Sequence, residues 1–380
     1  VKENGGSAKP RRVTQFVLVG ANRDFGVHNN NINNAERAVL ERVFKVKTMD
    51  GNYTTPPAPR PNIFKRLLKN FRTRVIASTA KTAKFSNEQF LECYTGRKLK
   101  NYTRAVESLS VLEVLKKDSF LSSFLKAEKI DFTTKSDPPP RLIQPRGPRY
   151  NVEVGKYIKP IEHSIYKSIN VVFGTQVVAK GKNATTRGME LKEKWDRFTD
   201  PVAVFLDASR FDQHVSADAL IWEHSIYNAL FFNDPQLQRL LSWQVENNGF
   251  LYCDDGALKY KVRGCRASGD MNTALGNVLI MCALMWQYIR DVLNGEADLY
   301  NDGDDCVLIV ERRLFNLIQE TAIDWFRDFG FTMKLEGHTD VFERIEFCGS
   351  QPVFNGEHYV MVRNPHSTMD KDIVSVRPIA

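Results

Sequence analysis

Between residues 200 and 354 the apolar positions follow first one period and then another. Val202, Ala203, Val204, Phe205 and Leu206 form an apolar, β-rich run that ends at Asp207 and predicts a strand over 202–207. Helical spacing over 217–232 and a longer apolar run over 272–293 predict two helices. Short apolar runs at 298–301 and 306–310 flank a tight turn and predict a hairpin. Over 314–329, Leu314, Leu317, Ile318, Thr321, Trp325 and Phe329 fall near one face of an amphipathic helix. A strand over 331–335 and a hairpin within 345–354 complete the series. The order is β-α-α-β-β-α-β, which matches a ferredoxin-like split βαβ unit apart from the helix over 217–232.

The first half is broken more often. Residues 1–15 are polar and basic and are expected to form a linker, or a tail that orders on contact. An Asn-rich stretch over 29–34 predicts a loop and cap ahead of a helix over 35–44. Prolines over 55–61 and 138–140 interrupt the chain, with helical patterns over 63–77 and 107–117 between them. A short strand over 141–146 then carries Arg141 and Arg146 at its ends. A length of 380 residues favours several subdomains around a shared cleft. The longest apolar run, 278–289, is shorter than the roughly 18–20 residues of a membrane span. The first residues do not read as a signal peptide. Six cysteines without a C-x-x-C pair, and seven histidines without ligand spacing, point to reduced thiols rather than a disulfide frame or zinc site.

Charge adds a partner class. Residues 1–150 hold 29 Lys and Arg against 13 Asp and Glu, whereas the remainder holds 24 against 32. A basic front half suits a polyanion, because Lys and Arg displace counterions from phosphates. An acidic back half suggests carboxylates gathered for a divalent metal.

Four patterns carry candidate chemistry. Asp207 closes its strand and Asp212 follows a turn later; an ordinary Asp turn is the plainer explanation. Asp304 and Asp305 sit on a hairpin turn with Asn301, Asp302 and Gly303, and adjacent like charges oppose folding unless a cation neutralises them. Ser268 and Gly269 form a loop before the long apolar helix, whose Thr273 and Asn277 share one face, with Gly276 allowing close approach. Ser268 could equally be a helix cap. Lys126, Lys129, Arg141 and Arg146 form a basic segment, which could be a solvated loop or an anion contact. No G-x-x-x-x-G-K-[ST] loop occurs, which disfavours a helicase or kinase.

Taken in order, Asp-x4-Asp, Ser-Gly-x3-Thr-x3-Asn and Gly-Asp-Asp resemble the palm of RNA-dependent RNA polymerases of positive-strand RNA viruses. The phrases FLDASRFDQHVS, RASGDMNTALGN and NDGDDC, with VLVGANRDFGVHN and ERAVLERVF upstream, are similar to the tombusvirus and carmovirus group over residues 16–365. The resemblance implies an α+β right-hand polymerase with a ferredoxin-like palm. Residues 1–199 would be an N-terminal extension and fingers, 200–342 the palm with a fingers insertion near 233–265, and 343–380 the priming-strand loop and the start of a small or truncated thumb. Asp207, Asp304 and Asp305 would hold two Mg²⁺ ions, with Mn²⁺ able to substitute. Asp212, Ser268, Thr273 and Asn277 would sense the ribose, and Lys126, Lys129 and Arg141 would meet the triphosphate. Lys334 would protonate pyrophosphate, while Cys348, Gly349 and Ser350 would brace the priming strand. Implied partners are RNA template and nascent RNA, ribonucleoside triphosphates and a viral replicase auxiliary protein. Membrane contact would come only through segments outside this chain, at replication complexes in the host cytoplasm. A reverse transcriptase shares the metal aspartates, but Asp212 with Asn277 favours selection for ribose. A non-catalytic RNA-binding module is the other rival, and Asp207, Asp304 and Asp305 argue against it.

Overall fold

The computed structural model describes residues 1–16, 23–48 and 50–376, so residues 17–22 of the upstream phrase lie outside it. In chain order, α1 is Ile32–Val39, continued by a π-helical turn over Leu40–Phe44. Then come α2 (Lys69–Ser78), α3 (Gly96–Val111), β1 (Leu121–Leu125), β2 (Leu142–Ile143), α4 (Pro148–Phe173) and α5 (Ala184–Trp195). The second half runs β3 (Pro201–Ala208), α6 (Ala217–Leu230), α7 (Pro235–Val245), β4 (Glu246–Cys253), β5 (Gly256–Arg263) and α8 (Thr273–Asp291). It ends with β6 (Ala297–Asp302), β7 (Asp305–Glu311), α9 (Phe315–Asp328), β8 (Met333–Thr339) and the hairpin β9 (Ser350–Phe354) and β10 (Tyr359–Arg363).

Strands β6-β7-β3-β8 form an antiparallel sheet of four, with β3 between β7 and β8. One face, with Val202, Val204, Leu206, Leu299, Leu308 and Val310, packs into the main core beside residues of α4, α6, α8 and α9. The other face, with Ala203, Tyr300, Val307 and Ile309, is covered by Leu191 of α5 and by Phe342, Ile345, Phe347 and Met361. Burial on both faces is why the strand over 202–206 is apolar throughout instead of alternating.

A second sheet has the order Lys2–Glu3, β5, β4, β1, β2. Its inner face, with Leu125, Leu142, Leu251, Leu258 and Tyr260, packs on Ile32, Ala35, Ala38 and Val39 of α1. The segment over 233–265 therefore supplies α7 and a hairpin that joins strands from the first half of the chain.

Several expectations need correction. For the first residues, the tail that orders on contact fits and the linker does not: Lys2–Glu3 pairs with β5, and Thr14–Gln15 pairs with Val374–Ser375. The helix expected over 63–77 is two helices, Ile63–Leu67 and α2, because Leu68 leaves helical geometry at φ −90° and ψ 10°. The helix expected over 107–117 lies earlier, as α3; Val111 and Leu112 are exposed, so extending it would bury no apolar surface. The last hairpin starts at Ser350 rather than 345, because Ile345 and Phe347 are drawn under the central sheet. Pro160 masks the helical period of α4, which nevertheless buries Tyr150, Val154, Tyr157, Ile158, Ile161, Ile165 and Ile169.

Candidate active site

The three carboxylates meet at one end of the central sheet. Asp207 is directly opposite Asp305 on β7 and opposite Lys334 on β8, and Asp302 pairs with Asp305 across the turn. Gly303 takes φ +89°, a backbone region that favours glycine. The buried Asn301 clasps this turn: its Nδ2 donates to Gly303 O at 2.7 Å, and its Oδ1 accepts from Gly303 N at 3.1 Å. Burial pushes the Asp304 carboxyl up, its own backbone amide opposes the shift, and Asp207 adds to it. The Asp305 carboxyl is likewise raised by burial, then by Asp304. Asp302 is neutralised separately, by Lys180 Nζ at 2.6 Å and Arg187 Nη2 at 2.6 Å. Those cations lie on or just beyond a strap that bonds β6 through Ala179 N to Asn301 O at 2.8 Å.

No three Asp, Glu, His or Cys side chains converge on a metal position among the described residues. Asp207, Asp304 and Asp305 instead form an open, repelling edge of hard oxygen donors. That donor set fits Mg²⁺, which completes its shell with water and substrate phosphates rather than an all-protein cage.

Asp212 and Asn277 do meet: Asn277 Nδ2 donates to Asp212 Oδ1 at 3.0 Å. Burial pushes the Asp212 carboxyl up, while Asn277 and Arg266 oppose it. Asn277 Oδ1 accepts from Arg266 Nε at 3.1 Å, and Arg266 pairs with Glu223 of α6 in a fully buried ion pair. Glu223 also accepts from Tyr227 at 2.8 Å and from Asn272 at 2.7 Å. A Cβ at Gly276 would stand 2.4 Å from both Arg266 and Glu223, so glycine is what lets this pair lie against α8. Ser268 does not cap α8; its hydroxyl accepts from Gln144 N at 3.1 Å and ties the loop to the second sheet. Gly269 lets that loop approach, since a Cβ there would be 2.6 Å from Pro145 Cα. Thr273 turns its hydroxyl inward to Ala267 O at 2.8 Å.

A cleft of about 170 Å³ brings the groups together, lined by Asp304, Asp212, Ser268, Arg42, Arg141 and Arg210 among others. Arg42 donates to Pro139 O at 3.1 Å, but its buried Nε has no partner. Burial, with Arg210 and Arg141 beside it, pushes the Arg42 guanidinium down to about 10. The other expected cations sit apart. Lys126 pairs with Glu128 at 3.0 Å, and Lys129 lines an adjoining cleft that shares Arg42 and Arg141. Lys334 neighbours Asp207 but lines a third cleft, with Ser209, His214 and Phe331. Cys348 and Gly349, at φ +51° and +65°, turn the loop back beneath the sheet. Cys348 lies 3.8 Å from Asp302, and burial, then Asp305, pushes its thiol up to about 12. Ser350 N donates to Phe347 O at 3.1 Å, closing that loop.

Arg42, Arg210, Glu223 and Arg266 are additions to the sequence-derived set. Glu223 had a signal, since it interrupts the apolar stripe of Leu220, Ile226, Tyr227 and Leu230. Arg42 resembles any solvated helix cation in sequence, and Arg266 has no periodic signature.

An α+β chain with this edge of carboxylates matches, over residues 1–380, the family described as viral RNA dependent RNA polymerase. It is 43% identical to the RNA-directed RNA polymerase of Tobacco necrosis virus (strain D), over 98% of this chain and 51% of that protein. It is 45% identical to that of Melon necrotic spot virus, over 97% and 46%, and 44% identical to that of Turnip crinkle virus, over 97% and 47%. The chain belongs to the viral RNA-dependent RNA polymerase family. It spans about half the length of these curated relatives.

Proposed function

We propose that this chain is the catalytic region of an RNA-directed RNA polymerase that joins ribonucleoside triphosphates on a viral RNA template. The observation that carries this reading is the strand register that sets Asp207 beside Asp305, next in sequence to Asp304, which lines a cleft with Asp212 and Arg141. The sheet order β6-β7-β3-β8, with α8 and α9 as crossovers, supports a ferredoxin-like palm at 200–342 within a right-hand architecture. The hairpin β4–β5, built into the second sheet, supports a fingers insertion near 233–265, with fingers over 1–199 and the priming loop and thumb start over 343–380.

Asp207 and Asp304, assisted by Asp305, would hold two Mg²⁺ ions. When bound, these supply a lowered pKa for the RNA 3′-hydroxyl and charge neutralisation on the triphosphate. Arg141, Arg42 and Arg210 offset the phosphate charge that grows during in-line transfer. Lys129 and Lys126 line the approach rather than the reacting centre. Asn277, aimed by Asp212 and Arg266, reads the 2′-hydroxyl, with Ser268 and Thr273 fixing the loop beside it. Lys334 serves as the proton donor to pyrophosphate, from its place opposite Asp207. The Cys348–Ser350 turn braces the priming strand. An auxiliary replicase protein and host membranes enter through other parts of the replicase.

The test is template-directed synthesis by the purified chain with Mg²⁺, four ribonucleotides and a primed template. Asp304→Asn should abolish extension while RNA binding persists. Wild-type extension by that variant would remove the metal assignment.

A further inference from the structure

The second sheet has an outer face that the proposed chemistry does not use. Burial alternates along its strands, so Leu121, Ser123 and Leu125 point to α1 while Ser122 and Phe124 point away. On β4 the outward set is Glu246, Asn248, Phe250 and Tyr252, and on β5 it includes Lys259, Lys261 and Arg263. The register assembles these into one surface. Phe250 lies between Ser122 on β1 and Lys259 on β5, and Phe124 lies opposite Ile143 on β2. Phe120 stacks on Phe250 with centroids 5.7 Å apart and planes 29° apart, and Lys259 Nζ stands 5.5 Å from the Phe250 ring. Tyr252 is 72% exposed and Phe124 47%.

Large rings left in water on a sheet face are costly unless something covers them. Two features decide what. The rings are interspersed with Ser122 and Asn248, and the aliphatic Ile143 joins them only at the β2 edge, which gives separate flat surfaces and not an apolar groove. The charge beside them is positive: Arg263 is matched by Glu246 at 2.6 Å, but Lys259 and Lys261 have no carboxylate partner among the described residues. Aromatic faces flanked by free cations suit single-stranded nucleic acid, whose bases stack while its phosphates meet the lysines. The surface also leads somewhere, since Ile143 stands opposite Phe124 and lines the cleft that holds Asp304 and Arg141.

We propose that this outer face, from Tyr252, Phe250 and Phe124 to Ile143, is a stacking track for unpaired RNA entering the cleft. The inference rests on the polymerase reading for its direction but not for its binding chemistry. It is tested with Phe124→Ser/Tyr252→Ser and with Lys259→Glu/Lys261→Glu, each measured for affinity to a short fluorescent oligouridylate across a salt series. Extension is measured in parallel on a primed template with a single unpaired nucleotide. The ring variant should bind about 10-fold more weakly, the scale of lost base stacking. The lysine variant should bind more weakly with a shallower salt dependence. Both should extend the single-nucleotide template at the wild-type rate. Because Lys259 and Lys261 are exposed, the lysine variant keeps the test decisive if the ring variant fails to fold. Wild-type affinity in a folded ring or lysine variant overturns the track and leaves this face to a protein partner. A wild-type chain that loses RNA affinity on these substitutions, yet extends no template in any form, retains the track and overturns the polymerase reading instead.

Discussion

Asn277 donates through its amide nitrogen to Asp212 and accepts at its oxygen from Arg266, so a flip of the amide would sacrifice both bonds. The side chain is thus held in one orientation by the fold itself. Sites built to bond a hydroxyl reject analogues lacking it, because their own polar groups are then left unpaired. Asn277→Asp should therefore reduce the preference for a ribonucleotide over its 2′-deoxy counterpart by about 10-fold, the scale of one charge-assisted hydrogen bond. The ratio of kcat/KM values measures this, and an unchanged ratio returns Asn277 to a structural role. The cations divide along similar lines. Arg42→Ala should lower kcat/KM for nucleotides by about 10²-fold, whereas Lys126→Ala should leave it within about threefold, since only Arg42 lines the cleft. Equal losses in both would place the triphosphate farther out. At this scale the sequence was legible where residue types cluster. Asp207, Asp212, Asp304 and Asn277 each belong to a short ordered motif. Arg266 and Glu223 are 43 residues apart, and their pairing depends on how α6 crosses α8.

The elements around that ion pair make a second prediction. Below Glu223, a chain of amides runs from Asn272 to Gln244, whose Oε1 accepts from His224 Nε2 at 3.1 Å. Burial pushes the His224 imidazole down from 6.5 to about 4. Its folded value is depressed, so its contribution to stability is complete above the unfolded value and is lost as pH falls toward the folded one. The wild type should lose about 2 kcal/mol more than His224→Gln between pH 7 and pH 5, measured by denaturant unfolding. Parallel curves for the two proteins would show that His224 titrates alike in the folded and unfolded chains, and that burial does not depress it. Element by element, the central sheet and its two crossovers were readable, β3, β7 and α8 as apolar runs and α9 by its helical period. α4 was not, since a proline inside a helix reads as its end. The final hairpin was misplaced because Ile345 and Phe347 have strand-like apolar spacing but are spent on covering a sheet.

Across the whole molecule, the basic first half and acidic second half do not separate into two lobes. Strands β1 and β2 from the first share a sheet with β4 and β5 from the second, and Arg42 lines one cleft with Asp304. RNA affinity should consequently be strongly salt-dependent, falling about 10²-fold between 50 and 200 mM salt if roughly five phosphates are neutralised on a single strand. A flat salt response would show that the excess cations lie off the RNA path. The charge asymmetry was visible in the sequence, but the interleaving was not, because pairing between distant strands leaves no local pattern.

Thr14–Gln15 pairs with Val374–Ser375, which has a consequence for how the molecule is born. On a ribosome working at about 5–20 residues per second, the first of these strands waits about 20–70 s for the second. Its backbone donors and acceptors stay open to solvent, chaperones and proteases throughout that interval. Nascent chains halted before Val374 should be clipped near Gln15 by added protease, and chains released after Ser375 should resist at that point. A contact between segments this far apart in sequence forms only after the second has been made, so this pairing closes late however fast the rest of the chain folds.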